Sequence, residues 1–202
     1  MSAGHSHIDE QQIRALLESR LAALRAKDAG TFTATFDPSI VKFDLAPPLR
    51  ETGSSVLDPA GLQWWLSTWD GEITVELAQL STTVCGDVAF CHCLEHIQGT
   101  RSDGVDQNMW TRSTIGLKKT NDAWKITHEH NSVPVYMDGS DRAALDLQPG
   151  PRGLPADGSG VTSARSAVAR WARALRQARG GCRAVEGRQR DPDASGHRHA
   201  DG

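Results

Sequence analysis

Residues 124–135 read Trp-Lys-Ile-Thr-His-Glu-His-Asn-Ser-Val-Pro-Val. Trp124, Ile126, His128 and His130 share one parity, and Lys125, Thr127, Glu129 and Asn131 share the other. Such alternation is a strand signal, because successive side chains on a strand point to opposite faces. One face would then carry an indole, an aliphatic chain and two imidazoles in line. A core face that includes histidines implies an interior that is not entirely dry.

Working outward from this stretch, strands are expected at about 72–84, 87–99, 106–119 and 123–136. Cys85-Gly86-Asp87, Ser102-Asp103-Gly104 and Thr120-Asn121-Asp122 break them with turn-forming residues. Upstream, Ile13, Leu16, Leu17, Leu21 and Leu24 recur at spacings of three and four, which predicts a helix over Ile8–Lys27. A second helix is expected over Asp28–Phe36, with Asp28 as its N-cap and Asp37-Pro38 as its stop. Ile40–Leu45 is a short β-type run closed by Ala46-Pro47-Pro48. A third helix follows Asp58-Pro59 as far as Trp69, burying Leu62, Trp65, Leu66 and Trp69. Helices first and long antiparallel strands afterwards give an α+β layout, with three N-terminal helices packed on one face of a curved sheet.

The charge is divided unevenly along the chain. Residues 1–150 hold 12 Lys and Arg against 20 Asp and Glu, whereas residues 151–202 hold 10 Arg and no Lys against 5 acids. An acidic body has no electrostatic footprint for nucleic acid. Gln148–Gly160 reads as a Pro/Gly linker, Val161–Arg179 as a possible basic helix, and the remainder as a polar, disordered extension. Two domains of description follow: 1–148 folded, and 149–202 an Arg-rich appendage. No apolar run is long enough to span a bilayer, and Met1–Glu10 lacks the apolar segment of a secretory signal. Cys85, Cys91, Cys93 and Cys182 form no disulfide framework, so a reducing, cytoplasmic location is expected.

A series of motifs falls in a familiar order: Ala-Leu-Arg-Ala-Lys-Asp at 23–28, Val-Lys-Phe-Asp-Leu-Ala-Pro-Pro-Leu at 41–49, and Gly-Asp-Val-Ala-Phe-Cys-His at 86–92. Gly-Thr-Arg-Ser-Asp-Gly at 99–104, Met-Trp-Thr-Arg at 109–112, the 124–135 stretch, Met-Asp-Gly-Ser at 137–140 and Ala-Leu-Asp-Leu at 144–147 continue it. In this order the chain resembles the SnoaL-like, ketosteroid-isomerase-like branch of the nuclear-transport-factor-2-like superfamily over about residues 8–148. The resemblance implies a cone-shaped, cystatin-like roll, in which a bent antiparallel sheet wraps a pocket closed by helices. It also implies a homodimer formed through the sheet, and a pocket that works without metal or organic cofactor. Enzymes of the family use an aspartate on the short first strand as a general base, and the matching position here is Asp44. Burial against Phe43, Leu45 and Pro47-Pro48 would raise its pKa towards neutrality.

The match has gaps. Ketosteroid isomerases hold the dienolate oxygen with a tyrosine and a protonated carboxylic acid. The one tyrosine in the chain is Tyr136, and Met109–Leu117 contains no acid. The oxyanion partner would therefore be Arg112 or an imidazole.

The candidate catalytic residues are Asp44, His128 and His92, and the candidate substrate contacts are Trp110, Arg112, His130 and Trp65. The histidines would line the pocket or, alternatively, brace neighbouring strands or face a dimer partner. Asp44 could instead brace the Pro47-Pro48 turn. Cys91 and Cys93 point away from His92 and His96 on a strand, and no carboxylate joins the histidine row, so no metal is expected. Nor does any P-loop, G-x-S-x-G or dinucleotide motif occur. The expected function is a cofactor-independent isomerase or lyase acting on a small apolar carbonyl compound. The alternative is a non-catalytic small-molecule-binding or dimeric structural domain.

Overall fold

A computed structural model describes residues 3–150; the linker, the basic helix and the Arg-rich extension expected beyond them lie outside the described residues. Helix α1 (Ala3–Arg25) buries Ile13, Leu17, Leu21 and Leu24, the stripe expected of its three-and-four spacing. Arg20 falls within the same stripe and is only 6% exposed. Helix α2 (Ala29–Thr33) starts where Asp28 accepts the Thr31 amide at 2.9 Å. It ends earlier than the sequence predicts. The chain is already extended at Phe36, because Phe36 pairs with Ile126 and the Thr35 carbonyl accepts the Ile126 amide at 3.1 Å.

Strand β1 (Phe36–Phe43) leads through the Pro47-Pro48 loop to β2 (Glu51–Thr52) and a one-turn helix α3 (Ser54–Leu57). Helix α4 (Pro59–Ser67) has Pro59 in its first turn, and the Asp58 carboxylate accepts the Ala60 amide at 2.9 Å. Four long strands follow: β3 (Trp69–Cys85), β4 (Val88–Arg101), β5 (Asp106–Thr120) and β6 (Ala123–Ser132). They form one six-stranded sheet in the order β2-β1-β6-β5-β4-β3. The pairing is antiparallel except that β1 runs parallel to β6, so the sheet is mixed rather than purely antiparallel. The α+β class and the curved sheet against the N-terminal helices are as expected, with α3 as an additional turn of helix. None of the helices among the described residues is long and apolar enough to cross a membrane.

Bulges bend the sheet and re-aim its side chains. In β3 the register to β4 shifts between Ala78 and Ser81, where Gln79 adopts φ 57°. In β6, Gly116 pairs with His128 but its neighbour Leu117 pairs with Ile126, leaving Thr127 as the extra residue. A one-residue insertion reverses the face of everything after it. Trp124 and Ile126 therefore point into the core, and so does Glu129, at 4% exposure. His128 and His130 turn to the other side. Gly116 permits this: a Cβ built there would stand 3.3 Å from the His128 Cβ. We expect Gly116→Val to overpack the bulge and lower stability by about 1–3 kcal/mol, measured by urea unfolding against the parent. An unchanged midpoint would show that the bulge does not need the close approach.

Candidate functional site

The inner face of the bent sheet can be read across its registers. Lys42 of β1 pairs with Glu129 of β6, which pairs with Ile115 of β5, which pairs with Cys91 of β4. The next row is Asn131, Ser113 and Cys93, and beyond it Thr111 pairs with Glu95. Helix α1 covers the first row and supplies Arg20. Its Nη2 donates to Glu129 Oε2 at 2.6 Å, both side chains being buried. The guanidinium also stacks 4.2 Å from the centroid of Phe32.

These groups border a cavity of about 890 Å³ lined by Lys42, Asp44, Glu95, Glu129 and Asn131, with Phe32, Phe36, Ile97 and Met109 as apolar walls. The volume lies in the range of small-molecule sites. The Lys42 ammonium is bonded to the Asp44 carboxylate, and Asn131 Nδ2 donates to Glu129 Oε1 at 3.1 Å. Asn131 Oδ1 is buried without a partner. Glu95 makes no hydrogen bond or ion pair among the described residues, and its remaining open surface faces the cavity.

The ionisation states follow from this arrangement. Two interior cations, Arg20 and Lys42, stand among three carboxyl groups, those of Asp44, Glu95 and Glu129. Burial opposes ionisation of Glu129, but Arg20 and then Lys42 overcome it and hold its pKa below the usual carboxylate value. Burial likewise acts against charge on Asp44, and the Lys42 ammonium again wins. Glu95 has no such counter-ion. Burial first, and then the negative charge of Glu129, push its pKa up to about 7. The Cys93 thiol, buried and close to Glu95, is pushed up to about 12, so it is not a thiolate nucleophile at neutral pH.

The residues singled out in the sequence divide between the two faces. Asp44 and Trp65 line the cavity; Trp65 sits edge-on to Trp69 with ring centroids 5.4 Å apart. Asp44 is not the carboxyl with a raised pKa, because Lys42, two residues earlier on the same face, holds it ionised. His92, His128, His130, Trp110 and Arg112 do not line the cavity. Phe43 contacts His128 and His130 edge-on at centroid distances of 5.2 and 5.7 Å, and His128 Nδ1 bonds the Val41 carbonyl at 2.9 Å. His92 is exposed beside Phe90, and Trp110 stacks on His96 at 4.5 Å. These side chains occupy the outer face of the sheet. The expectation that they wall the pocket fails for β6 because of the Thr127 bulge. It fails for β4 and β5 because the buried row is Ala89, Cys91, Cys93 and Ile97 against Thr111, Ser113, Ile115 and Leu117. Tyr136 is also away from the cavity lining, donating to Asp146 at 2.6 Å.

Sequence reasoning missed Lys42, Glu95, Glu129 and Arg20. Arg20, Lys42 and Glu95 carried a usable signal, a charged residue on the parity or stripe of buried apolar neighbours. Glu129 instead lies on the opposite parity to Trp124 and Ile126 and is brought inward only by the Thr127 bulge. The model of the SnoaL-like domain matches residues 13–136, more than half of the chain. The chain belongs to the SnoaL-like family. Among solved structures it is similar to an NTF2-like protein of unknown function from Pseudomonas putida KT2440, with 31% identity and a TM-score of 0.64. That alignment covers 71% of this chain and 99% of the other. A putative dehydratase of the NTF2-like family from Streptomyces avermitilis aligns at 17% identity and TM-score 0.55, over 63% and 97% of the two chains. An NTF2-like superfamily protein from Salmonella enterica aligns at 22% identity and TM-score 0.54, over 65% and 95%. The last two likenesses show the fold alone. No match was found among curated proteins.

The raised pKa of Glu95 carries a stability prediction for this SnoaL-like domain. A carboxyl that holds its proton more tightly folded than unfolded costs stability as pH rises from its unfolded value near 4.5 through about 7. Above that window the cost is on the order of 3 kcal/mol. Glu95→Gln, which cannot ionise, should match the parent near pH 4.5 and exceed it increasingly up to pH 8. Denaturant unfolding at several pH values measures this; parallel curves would show that Glu95 is not the group described.

Proposed function

We propose that the domain is a cofactor-independent acid–base enzyme, an isomerase or lyase acting on a small carbonyl compound, with Glu95 as the proton-transfer group. The single observation that carries this reading is Glu95 itself: a carboxyl lining the cavity without a protein partner, whose pKa burial and then Glu129 push up to about 7. A general base works best when its pKa is close to the operating pH. In the proposed reaction the Glu95 carboxylate removes a proton from the carbon next to the substrate carbonyl, and the electron pair moves to oxygen. Lys42 is the cation that faces the developing oxyanion, in the role the sequence assigned to Arg112 or a histidine. Asp44 fixes the Lys42 ammonium rather than serving as the base. Returning the proton to a different carbon gives an isomerase; expelling a β-substituent gives a lyase.

The outer face supports a second part of the proposal, a homodimer formed sheet to sheet. Phe43, Phe90 and Val88 are 36%, 50% and 58% exposed there, next to His92, His128 and His130. Exposed apolar side chains on one face of a sheet favour association through that face. The histidines then belong to the interface rather than to the reaction. A cytoplasmic location fits the free thiols of Cys85, Cys91 and Cys93.

Enolisation can be read without knowing the natural substrate. Small aryl ketones incubated with the protein in D₂O should exchange their α-protons, followed by NMR. Glu95→Gln should slow exchange at least about 100-fold while ligand binding persists. Binding without exchange in the parent protein would favour the alternative, a non-catalytic binding domain. For the dimer, light scattering should give twice the chain mass, and Phe90→Glu should give a monomer that keeps its exchange activity. A monomeric parent would remove the interface proposal.

A further inference from the structure

The mouth of the cavity differs in charge from its floor. Four carboxylates at the more exposed side of the lining, Glu51, Asp58, Asp103 and Asp106, stand there with Arg101 as the one cation among the described residues on that side. Arg101 is itself engaged, with its guanidinium carbon 4.9 Å from the centroid of the Trp69 ring. On the floor the cations are likewise taken up, Arg20 by Glu129 and Lys42 by Asp44. Among the described residues the cavity therefore presents an excess of negative charge at its entrance, and each interior cation already balances one carboxylate. Clefts lined by one sign of charge concentrate ligands of the other sign.

Two further observations bear on what that ligand is. Trp64 is 70% exposed at the rim, off the packed side of α4, and Trp65 lies beside it along the wall. Indole faces near carboxylates form a favourable environment for an organic cation. The carboxylates are also dispersed: among the described residues no three His, Cys, Asp or Glu side chains are grouped so as to hold a metal ion. Deeper in, the unpartnered Glu95 carboxyl and the buried, unsatisfied Asn131 Oδ1 both await a hydrogen-bond donor. A protonated amine supplies donors and charge together.

Resting on the pocket reading above, we infer that the substrate is an amine-bearing carbonyl compound, cationic at neutral pH, which the rim carboxylates and Trp64 select over its neutral and acidic analogues. A carboxylate or phosphate ester entering the same mouth would meet like charge at the rim and already-paired cations on the floor.

Three matched ketones test this: 4-(aminomethyl)acetophenone, 4-methylacetophenone and 4-acetylbenzoate, titrated into the full chain by NMR at low salt. The amine should bind at least about tenfold more tightly than the neutral ketone, and the acid more weakly than either. The preference should shrink as salt is raised, because exposed charges are screened. Glu51→Gln combined with Asp58→Asn should cut the preference at least threefold, and asparagine retains the capping function at residue 58. Equal affinities, or a preference for the acid, would overturn the inference and leave the pocket reading intact. Failure of all three to bind, with no α-proton exchange, would remove the pocket reading and this inference with it.

Discussion

The ion pair between Arg20 and Glu129 is the constraint on which the rest of the site depends. It joins the buried stripe of α1 to the inner face of β6, across 109 residues of sequence, at 2.6 Å. As a source of stability such a pair roughly breaks even, because desolvating both ions offsets most of their attraction. Its larger effect is on its neighbours. With Glu129 matched by Arg20, Lys42 is left to Asp44, and the third carboxyl, Glu95, has no cation of its own. The position of one arginine on a helix thus sets which carboxyl titrates near neutrality.

The Thr127 bulge makes that pair possible. Without it, strict alternation would carry His128 and His130 inward and send Glu129 to the outer face. One inserted residue gives the sheet two different surfaces: a charged inner face against α1 and the cavity, and an outer face of aromatic rings and imidazoles. The same bulge requires close backbone approach at Gly116. The inward aim of Glu129 and the outward aim of His128 and His130 therefore share a single local cause.

This also explains what was legible in the sequence. The element order, the Asp28 and Asp58 caps and the four long strands were readable, because caps, turns and hydrophobic spacing are local signals. The end of α2 was misjudged because Thr35 and Phe36 are taken into pairing with Ile126 of β6, a tertiary contact that Asp37-Pro38 does not announce. In β4 two rows competed for the core. Phe90 and Leu94 looked more apolar than Cys91 and Cys93, yet the smaller thiols pack inside, where cysteine behaves as a compact hydrophobe. Arg20 and Glu95 were visible as charges on buried parities. A bulge is different: it depends on the partner strand's register, and Gly116 is its only trace in the sequence. Asp44 and Trp65 line the cavity, while His128 and His130 lie on the outer face because of that one insertion, and His92 because the thiols of β4 take the inner row.

A carboxyl kept without a counter-ion is a liability for folding, since its ionisation above pH 7 works against the native state. A glutamine in its place would remove that cost, and on the proposed reading a ligand that uses the charge offsets it. A cationic ligand does so in two ways. It takes the place that Lys42 and Arg20 leave open beside Glu95, and by favouring the carboxylate over the acid it lowers the pKa of the group that must act as base. Cation binding and ionisation of Glu95 are then thermodynamically linked, each promoting the other, while the basicity of the carboxylate falls with its pKa. On this account the acidic rim and the solitary Glu95 are parts of one electrostatic design. The rim draws in the cation, and the cation ionises the acid.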